Sequence, residues 1–132
     1  VLKFHHVGIA CKDIDKSASQ YRKHFKESIF SESGNVYDPE QDATLKLFTL
    51  ADGASVEFIA GKMVEGLVKK NRDLYHVCYE SNNFDVDTQS LIQDGAIPIS
   101  KPKPAVLFDG RVVQFFMTSY GMVEILESAS EY

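Results

Sequence analysis

Tryptophan is missing from these 132 residues, and cysteine nearly so, with Cys11 and Cys78 alone. Two cysteines, neither in a C-x-x-C pair, make no disulfide framework and no cysteine-based zinc motif. Both stand in apolar, strand-like runs, where a free buried thiol is expected. No run approaches the roughly 18 apolar residues needed to cross a bilayer. The opening VLKFHHVGIACKD turns polar too soon for a secretory signal or a lipid anchor. The expectation is a soluble protein of the reducing cytoplasm, with no membrane partner. Positive charge is scarce as well. There are 14 Lys and Arg against 19 Asp and Glu, a net charge of -5, which argues against a nucleic-acid partner and leaves room only for a local basic rim around a phosphate-bearing ligand. What is present is ordinary globular material, 44% apolar and 25% charged, with 9 Phe and 6 Tyr as core bulk and no sign of disorder or coiled coil.

The chain resembles itself. HHVGIACKDID from His5 is followed by the helical-looking run SASQYRKHFKES, and YHVCYESNNFD from Tyr75 is followed by VDTQSLIQDG. His6 and His76 stand 70 positions apart, as do Asp15 and Asp85, with Ile14 and Phe84 at the same offset. DGASVEFI and YGMVEIL close the two halves and place Glu57 and Glu124 67 positions apart. A repeat fixes what the elements are before propensities are weighed. The expected organisation is a single domain over 1–132, made of a module 1–60, a connector helix 61–72 and a module 73–132.

Each half reads strand, helix, then strands. Phe4 to Cys11 is the first strand, and Asp13 or Asp15 caps the helix behind it. Ala18, Tyr21 and Phe25 give that helix one apolar stripe. Glu32 to Asp42 reads as loop with a short strand around Val36. Leu45 to Leu50 and Val56 to Ala60 read as a hairpin turned at Gly53. Lys62 to Lys70 has the spacing of a short amphipathic helix. In the second half a strand starts at Leu74, a helix near Asp85 ends at Gly95, and Pro98, Pro102 and Pro104 stiffen an irregular crossing. Val106 to Phe108 begins a strand, Asp109 and Gly110 turn it, Val112 to Thr118 returns, and Met122 to Leu126 is last. The fold class is α+β: paired β-α-β-β-β modules forming a curved mixed, mainly antiparallel sheet around a central cleft, with helices on the outer side.

Neither half can bury both faces of so small a sheet alone, so two sheets must meet, within one chain or between two. Period-two alternation sets Glu57 against Val56 and Phe58, and Glu124 against Val123 and Ile125. Carboxylates in apolar strands are costly unless something positive meets them. If the halves are related by a pseudo-twofold, His6, Glu57, His76 and Glu124 converge, and two imidazoles with two carboxylates suit a divalent ion of the Zn, Co, Ni, Mn or Fe range. His5 reads as the neighbour facing away, and His24 as a surface residue among Lys and Arg. Lys101, Lys103 and Arg111 are candidates for a positive mouth, with Val106 and Phe108 as apolar wall.

On these residues the chain resembles the vicinal oxygen chelate superfamily (glyoxalase, bleomycin resistance and dioxygenase proteins) over nearly its whole length, and is most similar to epimerase-like members acting on methylmalonyl-CoA. HHVGIACKDIDKSASQY, LYHVCYE, DPEQ before a strand, and GMVEIL carry the resemblance. It implies metal ligands at His6, Glu57, His76 and Glu124, catalysis by Glu124 with Glu57 as second choice, and a homodimer. The implied activity is that of a metal-dependent lyase or isomerase acting through an enolate or enediolate on a small carbonyl or thioester, including an acyl group on CoA or on a carrier protein. A dication stabilises the oxygen charge as the neighbouring proton leaves, and a desolvated carboxylate exchanges that proton. The chain departs from the epimerase pattern after DPEQ, where a second proton carrier is expected. ATLKLFTL has no carboxylate, only Thr44 and Lys46. Lys46, Phe108 and Arg111 are the candidate substrate contacts. The rival readings are a metal-free small-molecule binding or drug-resistance protein and a metal-dependent dioxygenase.

Overall fold

The structure, a computed structural model, describes residues 1–129, so the last three residues of the expected second module lie outside the described residues. The described residues divide into two compact units, 6–75 and a second made of 1–5 with 76–129.

In the unit His6–Tyr75, the strand β1 (Leu2–Ala10), of which residues 6–10 belong here, leads into the helix α1 (Ile14–His24). Asp13 is its cap: the carboxylate accepts the Lys16 backbone N–H at 3.1 Å. Asp15 in the first turn and Arg22, Lys23 and His24 in the last complement the helix dipole. The helical pattern of the sequence runs on to Ser28, but the helix stops at His24. Phe25 still donates its N–H to Tyr21, while its φ of −122° has already left helical geometry. The chain continues through β2 (Ile29–Glu32), β3 (Val36–Asp38), β4 (Ala43–Leu50) and β5 (Ser55–Gly61). Strand order is β2-β4-β5-β1, with β3 also on β4. The pair β4–β5 is the expected hairpin, whereas β1 and β5 run parallel, which requires the long crossover that α1 begins. The strand β2 is an addition to the sequence reading. Phe30 on it is 78% exposed, so its alternation has no buried side to report.

The helix decides which face of this sheet is which. Ile14 and Ala18 of α1 form a buried cluster with Phe48 and Phe58, and the Tyr21 ring lies 4.9 Å from that of Phe48. Residues paired across neighbouring strands share a face. Lys46 pairs with Phe58 and therefore lies on the helix side, while Leu47 pairs with Glu57 on the other. A 3₁₀ turn (Lys62–Val64) and the helix α2 (Glu65–Lys69) follow, where a short amphipathic connector is expected.

The second unit repeats the plan. The strand β6 (Leu74–Ser81), here from His76, is followed by the helix α3 (Phe84–Gln93), β7 (Ile97–Pro98), β8 (Lys103–Pro104), β9 (Val112–Thr118) and β10 (Gly121–Glu127). Strand order is β6-β10-β9-β7, with β8 on β9, and β6 and β10 are parallel as β1 and β5 are. The helix α3 ends at Gly95, whose φ of +103° lets Ala96 N–H reach the Leu91 carbonyl at 3.0 Å. Ala96, Phe116, Val123 and Ile125 form the buried cluster, with Phe84 and Leu91 packed on it. Two expectations fail. The crossing read as irregular carries β7 and β8, both paired with β9. Val106–Phe108 is a 3₁₀ turn, and the outgoing arm of the hairpin is β8, pairing Lys103 with Val113 and Pro104 with Val112. The cause is local: Phe108 and Gly110 both donate backbone N–H groups to the Ala105 carbonyl, which winds the segment up, and Asp109 takes a left-handed φ of 55°. The fold is thus α+β, with sheet pairing mixed and mainly antiparallel, and each module has one strand before its helix and four after it, one short strand more than the expected β-α-β-β-β.

Candidate functional site

In each unit one histidine and one glutamate meet on the sheet face turned away from the helix. Gly8 of β1 is in register with Glu57 of β5, so His6, two residues back, shares its face. His6 Nε2 lies 3.8 Å from Glu57 Oε1. In the other unit Cys78 of β6 is in register with Glu124 of β10, and His76, two residues back, places Nε2 3.1 Å from Glu124 Oε1. Alternation carries both arrangements: Phe58 goes to the α1 cluster and Val123 and Ile125 to the α3 cluster, which sends each glutamate the opposite way.

All four residues are buried, His6 at 0%, His76 at 1% and both glutamates at 4% exposure. A buried carboxylate is costly without positive charge. Each unit sets an imidazole beside its carboxylate, and Lys46 is on the far face of its sheet from Glu57. Imidazole nitrogen and carboxylate oxygen are the donors that Zn, Fe, Co, Ni and Mn accept. The donor set of each unit therefore fits a divalent ion.

The candidate substrate contacts are placed as follows. Lys46 is buried, donates to the Ser33 carbonyl at 2.6 Å and lies 3.1 Å from Glu32 Oε2. Thr44, two residues away on the same strand, shares its helix-side face. Arg111 donates through Nε to the Phe108 carbonyl at 3.3 Å and through Nη1 to the Glu127 carbonyl at 3.2 Å, with Glu80 Oε2 at 3.5 Å. Its guanidinium also lies 5.6 Å from the Phe108 ring. Phe108 is buried and meets the His5 ring edge-on at 5.3 Å. Lys101 is exposed and Lys103 half-buried, and His24 is exposed at the end of α1. Both cysteines are free thiols; Cys78 is buried, and burial pushes the Cys11 thiol up from its ordinary value.

Sequence reasoning passed over the residues that flank the glutamates. Phe115 of β9 is in register with Glu124, and its ring meets that of His76 at 5.4 Å between centroids and 79° between planes. Leu47 of β4 holds the corresponding place beside Glu57. In QFF and LKLF both read as ordinary core, and only strand register singles them out. A second feature, legible only in part, is the turn at DPEQ. The Asp38 carboxylate accepts the Glu40 backbone N–H at 2.9 Å and the Gln41 side-chain amide at 2.7 Å, and Gln41 in turn accepts from the Tyr75 hydroxyl at 3.3 Å.

Two modules of this order, each burying a His–Glu pair, define the class of protein. The sequence model of the Glyoxalase/Bleomycin resistance protein/Dioxygenase superfamily matches residues 5–115, and the chain belongs to that superfamily. Among its relatives, the ethylmalonyl-CoA/methylmalonyl-CoA epimerase of Cereibacter sphaeroides is 24% identical over 119 residues, covering 86% of each chain. Solved structures share the fold. A hypothetical protein of Bacillus halodurans superposes with a TM-score of 0.80 at 17% identity, over 99% of this chain and 97% of that one. Methylmalonyl-CoA epimerase from Mycobacterium tuberculosis gives 0.78 at 16% identity, over 97% and 89%. The Streptomyces coelicolor methylmalonyl-CoA epimerase in complex with 2-nitronate-propionyl-CoA gives 0.75 at 18% identity, over 98% and 100%.

Proposed function

We propose that this protein is a divalent-metal-dependent isomerase of the epimerase kind, moving a proton at the carbon next to the carbonyl of a small thioester, with an acyl-CoA as the substrate class. The observation that carries the reading is the pair of buried His–Glu couples, His6 with Glu57 and His76 with Glu124, at equivalent places in two equivalent modules. The four side chains are the proposed ligands of one ion. A bound dication supplies positive charge where the thioester oxygen gains electron density, the charge that makes the neighbouring C–H acidic enough to lose its proton. The relatives named for CoA thioesters and the complex with a CoA ligand support the substrate class.

The chain's own residues do the rest. Glu124 takes the proton from one face of the carbon; inversion needs a proton delivered to the other face, and Glu57 is the second carboxylate available for that. His6 and His76 hold the carboxylates in place from neighbouring positions on the same sheet faces. Phe115 and Leu47, in register with the two glutamates, line these faces with apolar surface and keep water from competing for the carboxylates. Lys46, on the helix face and paired with Glu32, is not part of the proposed proton transfer.

The deciding experiment follows solvent deuterium into a branched acyl-CoA thioester on protein purified without chelators and loaded with cobalt or zinc. The expected outcome is label at the carbon next to the carbonyl with wild type and none with Glu124→Gln. Gently purified protein that neither contains nor takes up a divalent ion would sink the reading and favour the small-molecule binding alternative.

A further inference from the structure

The apolar stripe of α1 runs past the core it serves. Ala18 is buried with Phe48 and Phe58, whereas Phe25, which ends the stripe, is 48% exposed. Its ring lies 4.9 Å from that of Tyr21 with 49° between the planes, so the two make a corner rather than a flat stack. Tyr21 is half-buried and braced by Phe48 and Phe58 at 4.9 Å and 5.4 Å. Both rings line a cavity of about 420 Å³ that also takes in the apolar Leu50 and Ala51 and the carboxylates of Glu27 and Asp52. The cavity lies between the end of α1 and the turn of the β4–β5 hairpin, and backbone hydrogen bonds hold its walls together. Ala51 donates to the Ser28 carbonyl and Ser28 to the Phe25 carbonyl, both at 2.9 Å. The Asp52 carboxylate accepts the Ala54 N–H at 3.0 Å, which fixes it in the turn. Its charge reaches the ring: after burial, the larger cause, Asp52 pushes the Tyr21 hydroxyl up from its ordinary value. Among the described residues no basic side chain lines the cavity. Arg22 is committed to Glu32, and Lys23 and Lys26 are exposed.

We propose that this cavity is a second ligand site, one that binds a small organic cation of the alkylated ammonium class between the rings of Tyr21 and Phe25 and the carboxylates of Glu27 and Asp52. Aromatic rings attract a cation through their quadrupole, most strongly one that gives up its water readily. An alkylated ammonium does so, and its methyl groups find apolar contact on Leu50 and Ala51. The carboxylates supply the opposite charge, and the carbonyl end of α1 adds to it. A small metal ion would meet apolar walls and two exposed carboxylates, a poor exchange for its hydration shell. The site lies on the helix side of the sheet, with Glu57 on the other face, so it does not depend on the proposed catalysis.

The test titrates choline into the isotope-labelled full chain and follows aromatic and amide NMR shifts. The control ligand is its uncharged isostere, with a tert-butyl group in place of the trimethylammonium. Choline should give saturable shifts at Tyr21, Phe25 and Asp52 with a millimolar dissociation constant, and the isostere should bind at least tenfold more weakly. Phe25→Leu, which removes a ring, and Asp52→Asn, which keeps an oxygen for the Ala54 N–H and removes the charge, should each weaken choline at least fivefold. Phe25→Tyr should bind as wild type does. If Phe25→Leu is unfolded by circular dichroism, Asp52→Asn is read alone. No saturable shift at these residues, equal binding of the isostere, or wild-type affinity in a folded Phe25→Leu or Asp52→Asn overturns the proposal. The proposed proton transfer stands or falls separately, on deuterium exchange.

Discussion

A glutamate placed among apolar neighbours and next to a histidine is, for a single side chain, a poor arrangement for stability and a good one for holding a cation. The four proposed ligands should therefore respond unequally to substitution. Glu57→Gln retains a donor oxygen and loses only the charge, and should weaken zinc affinity roughly tenfold, about 1.4 kcal/mol. His76→Ala removes a donor outright and should largely abolish binding. Competition titration of purified variants reads both, and wild-type affinity in the two together means the ions bind elsewhere. Gly61 presents a purely conformational case. Its φ is +141°, and a Cβ there would sit 2.8 Å from the Asp42 carbonyl oxygen and 2.9 Å from the Ala43 Cα. Both atoms are backbone, so little can give way. Gly61→Ala should lower the unfolding free energy in urea by about 1–3 kcal/mol through strain and more through the clash, with no direct effect on the ligands.

Among the elements, β2 depends most on charge. Glu32 accepts from Arg22 of α1 at 2.6 Å and 2.8 Å and meets Lys46 of β4 at 3.1 Å, so one carboxylate ties a short strand to the helix and to its neighbour. These two cations hold its carboxyl well below the usual range, at about 2 against an ordinary 4.5, with the Arg22 hydrogen bonds the main cause. A depressed folded value means that the ionised form is the one folding favours. Its contribution is complete above pH 4.5 and fades as pH falls toward 2. Thermal melts at pH 7, 4 and 2.5 should show Glu32→Gln melting a few degrees below wild type at pH 7, with the gap closing in acid. A constant gap would mean that the ion pairs contribute nothing. The same element shows how strand signals fail. With Phe30 exposed, β2 has no core-facing alternation, and the segment Val106–Phe108 has the apolar content of a strand while its carbonyls and amides are already satisfied within a turn.

For the molecule as a whole, binding and folding are linked. Unfolded chain separates the ligands, so an ion held at 100 times its dissociation constant stabilises the fold by about 2.7 kcal/mol, close to 10 °C in Tm for a chain of this length. Differential scanning fluorimetry with and without excess chelator should show that drop in wild type and lose it in His76→Ala. No drop in wild type would mean that the ion does not favour the folded state. Within each unit the core and the His–Glu pair occupy opposite faces of one sheet. The pairs can thus be altered without touching Phe48, Phe116 or Ile125, whose burial maintains the fold.

The sequence by itself determined the repeat, the α+β class, the helices at Ile14 and Phe84, and the facing of Glu57 and Glu124 away from the helices. All of these are periodicities or local capping chemistry, carried in neighbouring residues. The parallel pairing of β1 with β5 and of β6 with β10 was decided by tertiary structure, as were the turn at Val106–Phe108 and the place of Lys46 beside Glu32. So were the two spacings, 3.1 Å and 3.8 Å, and the ring of Phe115 against His76. Register between strands far apart in the chain sets each of these, and alternation can say which face a side chain takes but not which residue will stand beside it.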